Sequence, residues 1–228
     1  MRIDQILYSQ GFGSRRDCAG LLVRGEVQVA SRTVTEADED FATEDLVFSV
    51  SGRDWPFHAR ALVMLHKPAG YECSQKPRHH PSVMSLLPLP LRVRGLQPVG
   101  RLDEDTTGLL LLTDNGALIH RLTHPRRHVA KVYEVGTVDP VTEADCQALC
   151  AGVLLNDDPE PARAQACELA GPQHLQMTLT EGRYHQVKRM VAALGNRVAS
   201  LHRSRVGRLE LPPDLAPGHW AWLDAGAI

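Results

Sequence analysis

The hydrophobic pattern of the first fifty residues predicts two short helices followed by a strand. Apolar residues before Gly25 recur at helical spacing. Ser14, with Asp17 three residues later, matches a capping box at the start of the second helix. Val27 and Val29 then alternate with polar residues, as in a half-buried strand. Two short helices and a hairpin bury little apolar area, so we expect this unit to be marginally stable alone.

Two further segments bear on the domain boundaries. Residues 30–32, Ala-Ser-Arg, stand where a hairpin turn is expected. They include no glycine, although two-residue hairpin turns favour Asn-Gly pairs, so the geometry of this turn stays open. Residues 51–60 contain Gly and Pro and show no periodicity, which predicts a linker. The expected organisation is therefore a first domain over 1–50, a linker over 51–60 and a second domain over 61–228.

The second domain combines short apolar runs with amphipathic stretches. The predicted strands are residues 62–65, 109–112, 131–138, 164–168, 175–179 and 198–201. The predicted helices are residues 116–123, 142–151 and 184–194, and Thr142 with Asp145 forms a second capping-box pattern. Because strands and helices do not alternate strictly, we expect an α+β fold with a mixed, mainly antiparallel β-sheet and flanking helices.

Composition narrows the class of protein. The 228 residues are 43% hydrophobic and 23% charged, which is typical of a globular domain. No segment approaches the roughly 18 consecutive apolar residues that cross a bilayer, so we expect no membrane association. The first ten residues carry charges and lack the apolar region of a secretory signal peptide. Five scattered cysteines fit a reducing compartment better than a disulfide framework, so we expect a cytoplasmic protein.

The charges are segregated along the chain although the net charge is only −2. Acidic residues concentrate in 35–45 and 156–161. The basic residues outside these segments include Arg15, Arg16, Arg24, Arg183, Lys188, Arg189, Arg197, Arg203, Arg205 and Arg208. Such segregation can create a positive face that binds a phosphate backbone. The alternative, a solvated surface with no partner, stays open on charge alone.

The segment GRLDEDTTGLLLLT, residues 100–113, contains the strongest candidate for chemistry. Asp103 follows Arg101 and precedes the apolar run 109–112, which ends at the turn signal Asp-Asn-Gly. A carboxylate on a loop that feeds a buried strand is costly unless it is paired, which favours a functional role. A turn or cap aspartate is the alternative reading.

Residues 100–116, GRLDEDTTGLLLLTDNG, resemble the signature of the pseudouridine synthases that modify ribosomal RNA, in the family that contains the small-subunit enzyme. LVMLHKPAGYECS (62–74), KVYEV (131–135) and EGRYHQVKRMVAALG (181–195) resemble three further motifs in the family's order. Residues 1–29 resemble an S4-type RNA-binding module. The resemblance therefore implies an S4-like RNA-binding domain over 1–50 and a pseudouridine synthase catalytic domain over 61–228.

The resemblance implies roles for individual residues. Asp103 is the catalytic carboxylate, Lys188 its cationic partner, and Tyr133 a ring that stacks on a flipped uracil and moves a proton. Without the motifs, Lys188 reads as a surface lysine and Tyr133 as a half-buried strand residue. The implied RNA contacts are Arg101 (a wedge for the space that the flipped base vacates), Arg183, His185, Arg189, Arg15, Arg16 and Arg24.

The implied reaction isomerises a uridine of small-subunit (16S) ribosomal RNA and needs no cofactor and no metal. The expected partner is ribosomal RNA, in a partly assembled small subunit, and the expected state is a monomer. Four segments favour the small-subunit target, because they resemble that enzyme more than its large-subunit (23S) relatives: residues 103–116, 120–128, 201–211 and 214–218. A 23S enzyme and a non-enzymatic S4-type ribosomal RNA-binding protein remain alternatives. A zinc site is a weaker rival, because Cys73 with His79 and His80, and Cys146 with Cys150, lack zinc-finger spacing.

Overall fold

The computed structural model describes residues 1–156, 158–224 and 226. Residue 157 of the acidic segment and residues 225, 227 and 228 of the expected second domain lie outside the described residues. The chain divides into two compact units. The first combines residues 1–61 with residues 87–97, and the second combines residues 62–86 with the chain from residue 98 onward.

The first unit is a small antiparallel sheet with three short helices. Its elements are α1 (Ile3–Ser9), α2 (Arg15–Val23), β1 (Val27–Val29), β2 (Arg32–Thr33), β3 (Val47–Val50), β4 (Arg53–Pro56) and α3 (Leu89–Val93). The strands follow the order β2-β1-β3-β4, and each pairs antiparallel with its neighbour. Ile3, Ile6, Leu22 and Phe48 form part of its core, and all are buried.

Local capping in this unit follows the prediction. The Ser14 hydroxyl accepts a hydrogen bond from the Asp17 N–H, and the Asp17 carboxylate accepts one from the Ser14 N–H, which completes the capping box of α2. The hairpin turn between β1 and β2 has two central residues, Ala30 and Ser31, with φ of 49° and 63°. Positive φ at both central positions is the geometry of a type I′ turn, formed here without glycine.

The segment 51–60 is not simply the expected linker. Ser51 and Gly52 form a tight turn, and β4 then pairs with β3, with Val50 opposite Arg53. Residues 87–97 also belong to the first unit, where the Arg94 guanidinium donates to Gln10 Oε1 at 2.7 Å and to the His58 carbonyl at 2.9 Å. The boundary expected at 50 therefore does not separate the first unit from a linker, because Gly and Pro mark turns within a sheet as readily as they mark linkers. The second unit begins at residue 62, within one residue of the expected start at 61.

The second unit carries the large sheet. Its strands, together with β6 at the unit boundary, are β5 (Leu62–Lys67), β6 (Gln97–Pro98), β7 (Thr107–Thr113), β8 (Lys131–Thr137), β9 (Ala166–Gly171), β10 (His174–Leu179), β11 (Val198–Val206), β12 (Leu209–Glu210) and β13 (Trp220–Trp222). Its helices are α4 (Gly116–Thr123), α5 (Glu143–Ala151) and α6 (Gln186–Ala193), with short 3-10 helices at Val83–Leu86 and Pro125–Arg127.

The main strand order is β13-β5-β7-β11-β8-β10-β9. The β7–β11 pair is parallel, and the other neighbours on this path are antiparallel. This confirms the mixed, mainly antiparallel sheet with flanking helices.

Helices cover the sheet through two hydrophobic clusters. Cys146 and Leu149 of α5 pack with Met190 and Val191 of α6 against the β8–β10–β11 part of the sheet. Val187, Met190 and Val191 are the buried apolar residues of α6. Leu118 of α4 packs with residues of β5 and β7 in the other cluster. No helix in the described part of the chain is long and apolar enough to cross a membrane.

Candidate active site

A buried lysine supports the loop that carries Asp103. Lys67, at the end of β5, is fully buried, and its Nζ donates to the carbonyl oxygens of Pro68 at 3.1 Å, Glu104 at 3.0 Å and Thr106 at 2.8 Å. Burial lowers the pKa of Lys67, while three carbonyl acceptors satisfy its three donors. The loop between Asp103 and β7 is therefore held from beneath by one ammonium group.

The Asp103 carboxylate contacts two side chains from the start of α6. Lys188 Nζ lies 3.1 Å from Oδ2, and His185 Nε2 lies 3.3 Å from Oδ1. Residues three apart on a helix share one face, so His185 and Lys188 reach the same carboxylate. Asp103 and Lys188 are each 26% exposed, which leaves the pair open to a ligand while excluding most bulk water.

A second carboxylate shares the lysine. Lys188 Nζ donates to Asp105 Oδ1 at 2.7 Å and to Oδ2 at 2.9 Å. Burial lowers the pKa of Lys188, but hydrogen bonds to Asp105 and Asp103 outweigh it, so the pKa is raised overall. Burial raises the pKa of Asp105 and the bond to Lys188 lowers it, with a net lowering. The structure thus holds a charged carboxylate–ammonium–carboxylate cluster, in which sequence reasoning had missed Asp105 as a partner of Lys188.

A cavity of about 420 Å³ opens beside this cluster, within the range of small-molecule sites. Asp103, Tyr133, His185 and Lys188 all line it. Tyr133 is partly buried on β8 and packs against the core cluster of α5 and α6. The structure therefore brings together the three residues expected to be catalytic, although Tyr133 and Lys188 lie 55 positions apart in the chain.

Arg101 also lines the cavity and is exposed. Among the described residues it makes no ion pair with Asp103 or Asp105, because those carboxylates are occupied by Lys188 and His185. The Arg101 guanidinium is therefore exposed at the cavity and is not held in an ion pair with either carboxylate.

Arg183 and Arg189 are tied to the protein itself. Arg183 donates to the Asp158 carboxylate at 2.7 Å and to the Glu160 carbonyl at 2.6 Å. Arg189 donates to the carbonyls of Tyr184 and Asn156. These bonds hold the described part of the acidic segment beside the start of α6. The Arg183 guanidinium thus already has acidic and carbonyl acceptors within the protein, and its expected phosphate contact stays a prediction.

The remaining expected RNA contacts belong to the first unit. Arg15 and Arg16 are exposed in the first turn of α2, and Arg15 lies over the Tyr8 ring at 5.7 Å. Arg24 is exposed at the end of α2 and forms an ion pair with Glu26. Two of the three guanidinium groups are therefore unpaired with acidic side chains of the described residues.

Sequence reasoning missed an exposed aromatic ring at the cavity. Tyr184 is 74% exposed and stacks on His185, with ring centroids 3.8 Å apart and planes inclined by 18°. His185 has a left-handed backbone, with φ of 48°, where α6 begins. Tyr184 stands between Arg183 and His185, two of the expected RNA contacts, and this position was the available signal.

The cysteine and histidine groups weighed as metal ligands have other surroundings. The Cys73 sulfur accepts from the Leu102 N–H at 3.4 Å, and the N–H groups of His79 and His80 donate to Glu72. Cys146 and Cys150 pack in the apolar cluster of α5. No group of three or more His, Cys, Asp or Glu residues in the described ranges is arranged to hold a metal ion.

Comparisons with known proteins give the family. A family model described as RNA pseudouridylate synthase matches residues 61–193. Ribosomal small subunit pseudouridine synthase A of Escherichia coli (strain K12) is 39% identical over 221 residues, 96% of this chain and 95% of that protein. The protein of the same name from Pasteurella multocida (strain Pm70) is 37% identical over 100% and 98% of the two chains.

A solved structure agrees with the sequence relatives. A crystal structure of a pseudouridylate synthase aligns with a TM-score of 0.70 and 33% identity, covering 99% of this chain and 97% of that one. The chain belongs to the RNA pseudouridylate synthase family, and the expected enzyme class is confirmed.

Proposed function

We propose that this enzyme isomerises one uridine of small-subunit (16S) ribosomal RNA, of the uridine-516 type, to pseudouridine. One observation carries the proposal: an aspartate carboxylate at a cavity of about 420 Å³, held by Lys188 and His185 at 3.1 and 3.3 Å. The relatives named ribosomal small subunit pseudouridine synthase A, aligned over nearly the whole chain, support the choice of RNA.

The proposed reaction begins with a flipped uridine in the cavity. The N1–C1′ bond breaks and both electrons stay with the uracil, while the Asp103 carboxylate compensates the positive charge at C1′, by bonding or by ion pairing. The detached base turns, and C5 bonds to C1′. The proton on C5 is then lost and N1 gains a proton, so the overall reaction is an isomerisation that consumes no co-reactant.

The side chains around Asp103 have distinct proposed roles. Lys188 orients the Asp103 carboxylate through the 3.1 Å contact, and Asp105 holds the lysine from its other side through the 2.7 and 2.9 Å bonds. Tyr133 supplies a ring for stacking and a hydroxyl for proton movement. Arg101, exposed at the cavity without an acidic partner, is suited to fill the space that the flipped base leaves in the RNA.

The first unit is proposed to anchor the RNA as an S4-like module. Arg15 and Arg16 project from the first turn of α2, where helix N–H groups also favour phosphate. The proposed substrate is the RNA within a partly assembled small subunit, bound by a monomer, and specificity is expected to come from contacts outside the reaction centre, since every uridine offers the same chemistry.

The test compares two ribosomal RNAs. Unmodified 16S and 23S RNA, each naked and in partly assembled particles, are incubated with the protein, and pseudouridine is mapped by nucleotide. We expect a single site in the 16S RNA. Pseudouridine only in the 23S RNA would overturn the proposed substrate, and binding without any pseudouridine would favour a passive RNA-binding protein.

A further inference from the structure

An arginine with an unused donor lies inside the catalytic cavity. Arg203 of β11 is only 2% exposed and lines the same cavity as Asp103. Its Nε donates to the Leu109 carbonyl at 2.9 Å, but its buried Nη2 has no acceptor among the described residues. A buried guanidinium with an unmet donor is costly, because the donor has lost its hydrogen bonds to water without gaining an acceptor in the protein.

A second cation lies on the neighbouring strand. Lys131 of β8 is half-buried at the cavity, and its Nζ donates to the Val129 carbonyl at 2.9 Å. Burial, followed by the nearby charge of Arg203, lowers the pKa of Lys131. No carboxylate forms an ion pair with either cation in the described part of the chain. Two positive charges therefore share one cavity wall, and neither is paired with a carboxylate of the described residues.

A buried hydroxyl adds a further unmet polar atom at this cavity. Thr106 is 1% exposed, and its Oγ1 has no partner among the described residues. Its carbonyl is fixed by the ammonium of Lys67, so the side chain is carried on the same supported loop as Asp103.

The strand arrangement holds Arg203 in this position. Gly108 of β7 has φ of +108°, and a Cβ built on it would lie 2.3 Å from the Arg203 carbonyl oxygen. Only glycine therefore allows β7 and β11 to approach this closely. Across β11, Arg203 stands opposite Tyr133 in the strand register. The unmet donor is thus built into the sheet beside the ring expected to stack on the base.

We propose that Arg203 and Lys131, together with the Thr106 hydroxyl, form a subsite that binds the carbonyl oxygens of the uracil and stabilises the negative charge of the detached base. This inference rests on the proposed function. When the N1–C1′ bond breaks, the electron pair left on N1 is delocalised onto O2 and O4. Preorganised cations at those oxygens stabilise this anion more than the neutral base, which is the condition for lowering a barrier.

Depth favours the base over a phosphate as the occupant. Phosphates remain on the RNA backbone, which runs over the protein surface, whereas the flipped base is the part of the nucleotide that enters the cavity. Arg203 is almost fully buried and stands next to Tyr133, so the base is the group that can reach it.

The first test uses Arg203→Met and Lys131→Met, with Arg163→Met as control because Arg163 is exposed and does not line the cavity. Single-turnover rates at saturating 16S RNA and dissociation constants are measured separately. We expect each cavity variant to lose about 10²- to 10³-fold in rate, as when one oxyanion donor is removed, with little change in binding. Rates within a factor of two of the wild type would overturn the proposal.

The second test identifies the group that is bound. Substrates carry 2-thiouridine or 4-thiouridine at the target, or a neutral methylphosphonate beside it, and each is combined with each variant in a double-mutant cycle. A thio substitution that slows the wild type but not Arg203→Met supports a base contact. Coupling to the methylphosphonate instead would assign the cations to phosphate and overturn the base assignment.

Two controls distinguish failure of the proposed subsite from misfolding of a variant and from failure of the proposed function. Thermal unfolding checks that Arg203→Met is folded, and Lys131→Met, a half-buried position, carries the test if it is not. A wild-type protein that makes no pseudouridine would refute the proposed function itself, whereas an active wild type with fully active variants refutes only the subsite.

Discussion

Replacing Lys188 by methionine removes the cation that joins two carboxylates. Methionine has a similar length and no charge, so the helix face can stay packed while Asp103 loses its contact at 3.1 Å and Asp105 loses both of its contacts. The two carboxylates then face each other without an intervening positive charge. Asp103 is expected to be less well oriented in the Michaelis complex.

The size of the effect follows from distance and exposure. Two unit charges at about 3 Å interact by roughly 5 kcal/mol at an effective dielectric constant near 20, whereas exposed ion pairs measure only about 0.2–1 kcal/mol. Asp103 and Lys188 are each 26% exposed and Asp105 is 59% exposed, so the pair with Asp103 falls between these limits. We take about 2–3 kcal/mol, which corresponds to a loss of roughly 30- to 150-fold in rate.

The assay follows release of tritium from C5-labelled uridine in 16S RNA under single-turnover conditions. Lys188→Arg should keep part of the activity, because a guanidinium can still bridge two carboxylates. Lys76→Met is the control, since Lys76 is exposed and outside the cavity. A Lys188→Met enzyme that is folded and within twofold of the wild-type rate would show that the contact between Lys188 and Asp103 does not support the reaction.

Three further predictions test the support of the Asp103 loop, the packing of β7 on β11 and the RNA contacts of the first unit. Lys67→Met should destabilise the protein by about 1–3 kcal/mol or more in denaturant unfolding, because three carbonyls lose their donor; unchanged stability would contradict the role of Lys67 in the Asp103 loop. Gly108→Ala should lower the melting temperature, because its Cβ would lie 2.3 Å from the Arg203 carbonyl oxygen. A wild-type melting temperature would show that the close approach of β7 and β11 does not require glycine at this position. Arg15→Gln with Arg16→Gln should weaken RNA binding and flatten its salt dependence by about two counterions, and an unaltered salt slope would exclude these contacts.

Features set by neighbouring residues were predictable from the sequence. The capping boxes at Ser14 and Thr142 each need only a partner three residues away, and both form as expected. The strand after Asp103 and helix α4 were also recognisable, because a continuous apolar run and a turn signal are local patterns.

Features that depend on distant pairing were not predictable in the same way. The turn at Ser51 and Gly52 read as a linker, because only the partner strand reveals it as a hairpin. Residues 87–97 gave no signal of their place in the first unit, since their partners Gln10 and His58 lie far away in sequence.

Some residues of the candidate site could be predicted from the sequence and others could not. Asp103, Tyr133 and Lys188 entered through resemblance to a family, because nothing in their spacing brings three distant residues to one cavity. Asp105 and Arg203 were missed as site residues. A charge that looks solvated in the sequence becomes significant only when folding buries it and leaves one of its donors without an acceptor, as happens to Nη2 of Arg203.

Asp103→Asn tests most directly whether the Asp103 carboxylate is required for pseudouridine formation. The substitution keeps the shape of the side chain and removes its charge, so folding and RNA affinity should stay near those of the wild type. Wild-type and variant protein are incubated with unmodified 16S RNA in partly assembled particles, and pseudouridine is mapped by nucleotide. We expect one modified uridine with the wild type and none with Asp103→Asn. Turnover by purified Asp103→Asn would contradict it.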